Sequence, residues 1–149
     1  MPVVTSVVVF NPQTQRPMLP QLVNLHAACI EQDNTIATFL PPLDHGRMLE
    51  WWSQRADEVA QGTRDIIMCY VQSDESQSPV LGGFVTLAKP PSETGPFRAT
   101  VEKLLVSPAH RRLGIAKLVM EKVEAVAAEK GRTMIVRFDG LCVGCYDTC

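Results

Sequence analysis

Apolar residues recur along this chain at two different spacings, and the change from one to the other outlines the fold. Residues 3–10 are a β-branched, apolar run closed by Asn11-Pro12, which predicts a strand. Leu19, Leu22, Val23, His26 and Ile30 then return every three or four positions, the spacing of one helical face. Pro17 and Pro20 stand near the start of that helix, where a missing N–H costs little. Phe39-Leu40-Pro41-Pro42-Leu43 is an extended apolar break. Asp44 can cap a second helix that runs to Gln61 with an apolar stripe of Leu49, Trp52, Ala56 and Val59, and Gly62 stops it.

The period then shortens to that of strands. Residues 66–71, 80–87 and 99–106 read as three strands, separated by a polar turn at 73–79 and a Pro/Gly-rich turn at 89–96. Short polar turns between consecutive strands predict an antiparallel meander. Ser107-Pro108 ends it. Ile115, Leu118, Val119, Val123, Val126 and Ala127 fall on one face of a further helix, and Lys130-Gly131 is its stop signal. Residues 133–138 are strand-like again. A strand–helix–strand unit of this length predicts a parallel, right-handed crossover. The expected fold class is α/β (α+β), a mixed sheet in which an antiparallel meander leads into a βαβ crossover. Gly140 to Cys149 shows neither period, so residues 1–139 are expected to form one domain and residues 140–149 an irregular, cysteine-containing tail.

Composition narrows what such a fold can do. The 149 residues are 46% hydrophobic and 20% charged, which suits one ordinary domain and excludes both two independent cores and wholesale disorder. No apolar run approaches the ~20 residues that span a bilayer. The start, Met1-Pro2-Val3-Val4-Thr5, carries no basic region, so no secretory signal is expected and the expected location is the cytoplasm. A formal net charge of −2 and a pI near 5.9 argue against broad nucleic-acid binding. The five cysteines, Cys29, Cys69, Cys142, Cys145 and Cys149, are an odd count and read as free thiols in a reducing compartment. Cys142-x-x-Cys145 could supply half of a zinc site or a thiol pair. The remaining ligands and a redox context are not evident, so thiols on a frayed end are expected and no metal.

The most informative segment is Leu104-Leu105-Val106-Ser107-Pro108-Ala109-His110-Arg111-Arg112-Leu113-Gly114-Ile115-Ala116-Lys117. A strand runs into a tight basic turn, and the turn opens a long amphipathic helix. The first N–H groups of a helix have no internal partner, and its N-terminus carries partial positive charge. Gly114 and Ala116 have little or no side chain to block a backbone approach by an anion, while Arg111, Arg112 and Lys117 add charge nearby. That is the chemistry of a diphosphate site. An ordinary helix start with solvated arginines has the same composition, and spacing alone leaves both readings open.

Arg111-Arg112-Leu113-Gly114-Ile115-Ala116 resembles the Arg/Gln-x-x-Gly-x-Gly/Ala signature of the GCN5-related N-acetyltransferases (GNAT), and Leu104 to Pro108 resembles the strand and turn before it. The order of elements is also similar over residues 3–136, and most resembles the tabtoxin-resistance type of bacterial and fungal small-molecule acetyltransferases. The resemblance implies acetyl-CoA as donor and no metal. It implies that Arg111, Arg112, Leu113, Gly114, Ile115, Ala116 and Lys117 form the pyrophosphate turn, and that the backbone at Leu104, Leu105 and Val106 pairs with the pantetheine arm. It also implies direct transfer to an amine, without an acyl-enzyme.

Amine acetylation needs a neutral amine, a polarised carbonyl and a proton for the leaving thiolate. Side chains alternate along a strand, so Thr100, Glu102, Leu104 and Val106 are expected on one face. Relatives often carry Glu where this chain has Thr100, which leaves Glu102 as the candidate base, acting directly or through water. A solvated carboxylate paired with Arg98 or Lys103 is the competing reading. Relatives commonly protonate the thiolate from a Tyr on a later helix. Tyr146 lacks the surrounding pattern and does not inherit that role, and Tyr70 reads as core or rim. The resemblance makes Phe39, Leu43, Trp51 and Trp52 candidate walls of the acceptor site, although Trp52 also reads as a core residue and His26 as its structural neighbour.

The family pattern continues to Met134-Ile135-Val136 and is lost at Arg137-Phe138-Asp139-Gly140, so the fold is expected to be C-terminally incomplete, a truncated, alternatively spliced or frame-shifted product. Two functions therefore stand. One is an acetyl-CoA-dependent N-acetyltransferase acting on a small-molecule amine. The other is a non-catalytic acetyl-CoA-binding or truncated GNAT-like domain that needs a partner. A small-molecule amine is the expected partner, a homodimer stays open, and neither nucleic acid nor membrane is expected.

Overall fold

Strand β1 (Val3–Val9) lies at one edge of a five-stranded sheet and pairs antiparallel with β2 (Arg64–Gln72). β2 pairs antiparallel with β3 (Val80–Ala88), and β3 with β4 (Arg98–Val106). β5 (Met134–Arg137) lies beside β4 and runs parallel to it, joined through the crossover helix α3 (Ile115–Glu129). Two helices, α1 (Leu19–Asp33) and α2 (His45–Gln61), precede the meander. The computed structural model describes residues 2–33, 39–89, 98–132 and 134–137, the side chains of residues 33 and 134–137 excepted. The expected mixed sheet, meander and parallel crossover are all present. The tail at 140–149, with Cys142, Cys145, Tyr146 and Cys149, lies outside the described residues.

Helices α1 and α2 cover one face of the sheet and α3 the other. Trp52 of α2 meets Phe84 of β3 edge-on with ring centroids 5.0 Å apart. On the opposite face Asp65 of β2 holds Lys130, just past α3, at 2.8 Å and Lys89 at 2.9 Å. Local signals explain the ends of α2. The Asp44 carboxylate accepts hydrogen bonds from the N–H groups of Gly46 and Arg47 at 2.9 and 3.2 Å, and Gly62 takes the left-handed conformation at φ +83°. The buried stripe of α2 is Met48, Trp52 and Ala56, one position away from the expected start at Leu49, which is 38% exposed. Leu19, Leu22, Val23, His26 and Ile30 of α1 are all buried as expected. In α3 Leu118 is only half-buried, and Ala116 takes its place in the core.

The register of the sheet shifts at three points, and the two within the meander bear on the alternation of β4. Cys69 pairs with Gly83 and Tyr70 with Leu81, which leaves Gly82 as an extra residue on β3. Thr86 pairs with Lys103 and Leu87 with Val101, which leaves Glu102 as an extra residue on β4. The expected common face of Thr100, Glu102, Leu104 and Val106 is therefore not observed. Thr100 and Lys103 pair with Ala88 and Thr86, on the α1/α2 face. Leu104 and Val106 pair with Val85 and Gly83, on the α3 face.

Gly83 sets how closely α3 can approach. A Cβ there would lie 2.5 Å from Ile115 Cγ2 and 3.2 Å from the Leu105 carbonyl oxygen. On the other face, α1 and α2 are joined by Trp52, whose indole N–H donates to His26 Nδ1 at 3.2 Å. Both residues are at most 2% exposed. Burial, with Lys103 nearby as a lesser cause, lowers the His26 pKa to about 4.

Gly83→Ala is expected to lower the unfolding free energy by about 1–3 kcal/mol in urea titration. Wild-type stability in that variant would show that Ile115 has room to yield. His26 makes a second expectation. An unfolded histidine titrates near pH 6.5, so between ~4 and ~6.5 the unfolded chain binds more protons than the folded one. The contribution of neutral His26 is complete above about pH 6.5 and is lost as the pH falls toward 4, to the extent of about 3 kcal/mol. Wild type should lose stability over that window more steeply than His26→Gln, and parallel curves would contradict the assignment.

Candidate functional site

The chain leaves β4 at Val106 and reaches α3 through a tight turn that is strapped to the sheet. The Ser107 N–H donates to the Gly82 carbonyl at 2.8 Å, and the Ser107 hydroxyl accepts from the Ala109 N–H at 3.3 Å within a 3₁₀ turn at Pro108–His110. The Val106 carbonyl accepts from Arg111 Nη2 and from the Cys29 thiol, each at 3.4 Å. Arg112 then adopts φ +67° and Gly114 φ +75°. A left-handed arginine is uncommon and is held here by the anchors on either side.

Gly114 is the N-cap of α3, and no side chain caps the helix. A Cβ on Gly114 would meet nothing within 4 Å, so the space in front of the first N–H groups is open. Ile115 and Ala116 turn their side chains into the core at 2% and 3% exposure, and Leu113 packs against it. Arg112 and Lys117 stay exposed. The turn thus shows its backbone and two cations outward while its apolar side chains anchor it. Uncapped N–H groups, open space and flanking positive charge fit a diphosphate. Ala116 contributes through its backbone alone.

The parallel register of β4 with β5 ends at Val101 opposite Arg137. Beyond it, residues 102–106 have no strand partner on that side among the described residues. Leu104, Leu105 and Val106 are buried side chains, so what they offer at that edge is backbone N–H and C=O groups. The edge runs directly into the anion cradle, and the two form one track.

At the start of this track stands the bulge residue Glu102. Its carboxylate meets Arg64 Nη1 at 2.9 Å, and Arg64 Nε meets Glu58 of α2 at 2.6 Å. Arg55 holds the same Glu58 at 3.1 Å. Glu102 is thus a paired carboxylate, with Arg64 as its partner rather than Arg98. Strict alternation would send Lys103 to the opposite face, but the bulge keeps it beside the α2 wall. Its ammonium lies 5.2 Å from the Trp51 ring, which Arg55 also covers at 4.8 Å. Burial lowers the Lys103 pKa; Glu102 opposes that shift, and Arg64 and Arg55 add to it. Sequence reasoning named Lys103 as a candidate partner of Glu102 but missed Arg64 and Arg55 as parts of this centre.

Beyond Trp51 the α2 wall borders two open cavities. One, of about 290 Å³, is lined by Phe39, Leu40, Pro42, Leu43, Asp44 and Arg47. The other, of about 190 Å³, is lined by Phe39, Arg47, Glu50, Trp51 and Gln54. Phe39, Leu43 and Trp51 therefore line open space beside α2. Trp52 does not; it is fully buried, and His26 is its hydrogen-bond acceptor. Tyr70 is half-buried on β2, as a rim residue, with its hydroxyl toward Met68 Sδ at 3.8 Å.

Comparison with known proteins bears on the same elements. The profile of the Acetyltransferase (GNAT) family matches residues 28–139. No curated protein matches the sequence. The fold is similar to an aminoglycoside acetyltransferase from an uncultured soil metagenomic sample in complex with sisomicin, at 17% identity and TM-score 0.64 over 89% of this chain and 76% of that one. It is similar to a ribosomal-protein-alanine N-acetyltransferase from Brucella melitensis biovar Abortus 2308, at 17% identity and TM-score 0.63 over 89% and 78%. It is also similar to the PaiA N-acetyltransferase from Thermoplasma acidophilum in complex with coenzyme A, at 12% identity and TM-score 0.58 over 86% and 76%. At these identities the neighbours establish the fold, whereas the family profile spans the bulged strand, the strapped turn and α3. By that match, the chain belongs to the GNAT family of N-acetyltransferases.

Proposed function

We propose that the chain transfers the acetyl group of acetyl-CoA directly to an amine of a small-molecule acceptor. The observation that carries this reading is the continuity of a strand end, residues 102–106, which has no partner on its outer side among the described residues, with an uncapped helix start at Gly114. The pyrophosphate of the donor would lie on the N–H groups of residues 112–116, beside Arg112 and Lys117. The pantetheine arm would add to the β4 edge as an extra strand, which brings the thioester to the bulge. Backbone N–H groups there are the donors available to polarise its carbonyl.

In the transfer the amine nitrogen bonds to the thioester carbon, the carbon–sulfur bond breaks, and the sulfur leaves as thiolate to be protonated. The amine gives up one proton. Glu102 stands at the bulge and is the group assigned to receive it, directly or through water. That the similarly folded PaiA N-acetyltransferase is in complex with coenzyme A supports a coenzyme A thioester as the donor, by analogy of fold. The buried thiols Cys29 and Cys69, outside any disulfide, support a cytoplasmic setting.

One observation favours a second reading. Glu102 is engaged by Arg64, which suits a structural carboxylate and a domain that binds acetyl-CoA without turning it over. Acetyl-CoA binding together with amine-dependent CoA release separates the two.

Gly114→Glu places bulk and negative charge in front of the uncapped N–H groups, at a backbone strain of about 1 kcal/mol. Calorimetry should show acetyl-CoA binding lost while circular dichroism shows the fold retained; unchanged affinity would remove the donor assignment. Glu102→Gln should cut turnover about 100-fold or more while acetyl-CoA affinity changes little. Equal turnover would take Glu102 out of the mechanism.

A further inference from the structure

We propose that Arg64 is a positioning residue for the acetyl transfer: aimed by Glu58, it holds the Glu102 carboxylate at the bulge and leaves that carboxylate able to take the amine's proton. The inference rests on the assignment of Glu102 as the proton acceptor and specifies what makes Glu102 fit for that task.

Glu102 needs such a partner because of where it stands. It is the extra residue of the β4 bulge, so no residue of β3 lies opposite it. On its other side β4 has no strand partner at this position among the described residues. The side chain is 40% exposed. A long carboxylate side chain in that setting samples several rotamers, and each must be given up to hold one. Proton transfer needs one placement, because a displacement of about 1 Å from the productive geometry costs about 100-fold in rate.

The aim of Arg64 is set locally. Gly62 ends α2 in the left-handed conformation, and the Thr63 N–H and hydroxyl both donate to the Glu58 carbonyl, at 3.0 and 3.2 Å. This short link turns the chain back so that Arg64, the first residue of β2, meets the last turns of α2. Arg64 Nε donates to Glu58 Oε2 at 2.6 Å, and Arg55 holds Glu58 Oε1 at 3.1 Å. Both oxygens of Glu58 are thus engaged, and the Arg64 side chain is only 7% exposed. A guanidinium is rigid and planar, so with Nε fixed on α2 the direction of Nη1 follows. Nη1 meets Glu102 Oε2 at 2.9 Å.

The kind of contact decides what it can do. Arg64 Nη1 is buried and makes no hydrogen bond among the described residues, so its contact with Glu102 is an ion pair without hydrogen-bond alignment. Charge holds the carboxylate from the buried side. The part that faces solvent keeps its acceptor capacity for an N–H of the incoming amine. Taking an arginine out of water between two carboxylates yields little net stability, whereas the placement it enforces is definite. The engagement that suits a structural carboxylate therefore also suits a base held in position.

The test measures CoA release from acetyl-CoA with sisomicin, with phenethylamine and with the peptide Ala-Ala-Ala as the amine, and follows the fastest of the three. Arg64→Lys keeps the charge but lacks the plane that ties the two contacts together. It should lower kcat about tenfold, and Glu58→Gln about fivefold, each leaving the KM of acetyl-CoA within about twofold. In the Glu102→Gln background the same substitutions should change kcat by less than about twofold, because the group they position is gone. Glu58 is half-buried, so Glu58→Gln decides the matter by itself should Arg64→Lys not fold. Unchanged kcat, a raised acetyl-CoA KM in place of the kcat loss, or equal losses with and without Glu102, as a merely structural network would give, overturns the proposal while acetyl transfer stands. Should no amine release CoA, or Glu102→Gln leave kcat unchanged, the reading of Glu102 fails and NMR decides the positioning separately. Couplings of the Glu102 Cβ protons should report one χ1 rotamer in the wild type and an average of rotamers in Glu58→Gln. Averaging already in the wild type, or a single rotamer in Glu58→Gln, overturns the hold of Arg64 on Glu102.

Discussion

Helix α3 can rest on the sheet where it does because β3 presents no side chain at Gly83. Any Cβ at that position would press on Ile115, the first residue of the helix, and on the Leu105 carbonyl behind it. The helix start is therefore held against the strand end, and the intervening turn has little freedom. The Ser107–Gly82 hydrogen bond fastens the same turn from the strand side. Buried Ile115 and Ala116 fasten it from the helix side. The backbone of the turn is left to face outward beside the exposed Arg112 and Lys117, in the left-handed geometry of Arg112 and Gly114. The open backbone proposed to hold an anion thus follows from a packing constraint on the neighbouring strand β3.

The bulge at Glu102 has a comparable influence over the other substrate. It adds one residue to β4 and keeps both Glu102 and Lys103 on the face that α2 covers. Arg64 then joins β2, α2 and β4 by holding Glu58 and Glu102 together. Breaking one partner of such a part-buried network leaves an uncompensated charge, which costs more than the pair contributes when intact. The network accordingly fixes the position of the α2 wall relative to β4. The proposed donor track and the cavities beside α2 both lead to this bulge.

Features that depend on neighbours in the chain were legible in the sequence. The caps of α2, Asp44 and Gly62, lie where local chemistry requires them. The buried residues of α1 and the parallel crossover follow from period and order. The signature turn could be located because its glycine and its cations are contiguous. Features that depend on pairing between strands were not legible. A bulge is a mismatch of two registers, and nothing in residues 98–106 alone places it at Glu102. The Arg64 partner of Glu102 is brought from another strand by the meander. The stripe of α2 was misplaced by one position because Met48 and Leu49 are both apolar, and only packing against α1 and the sheet turns Met48 inward.

The central claim is that the end of β4 and the start of α3 form one continuous donor track. Amide chemical shifts of the ¹⁵N-labelled protein during titration with coenzyme A test it most directly. The account predicts that the largest shifts fall on the amides of residues 102–106 and 112–116, with the β1 and β2 amides little changed. Saturable binding that leaves both of these segments unperturbed would contradict it.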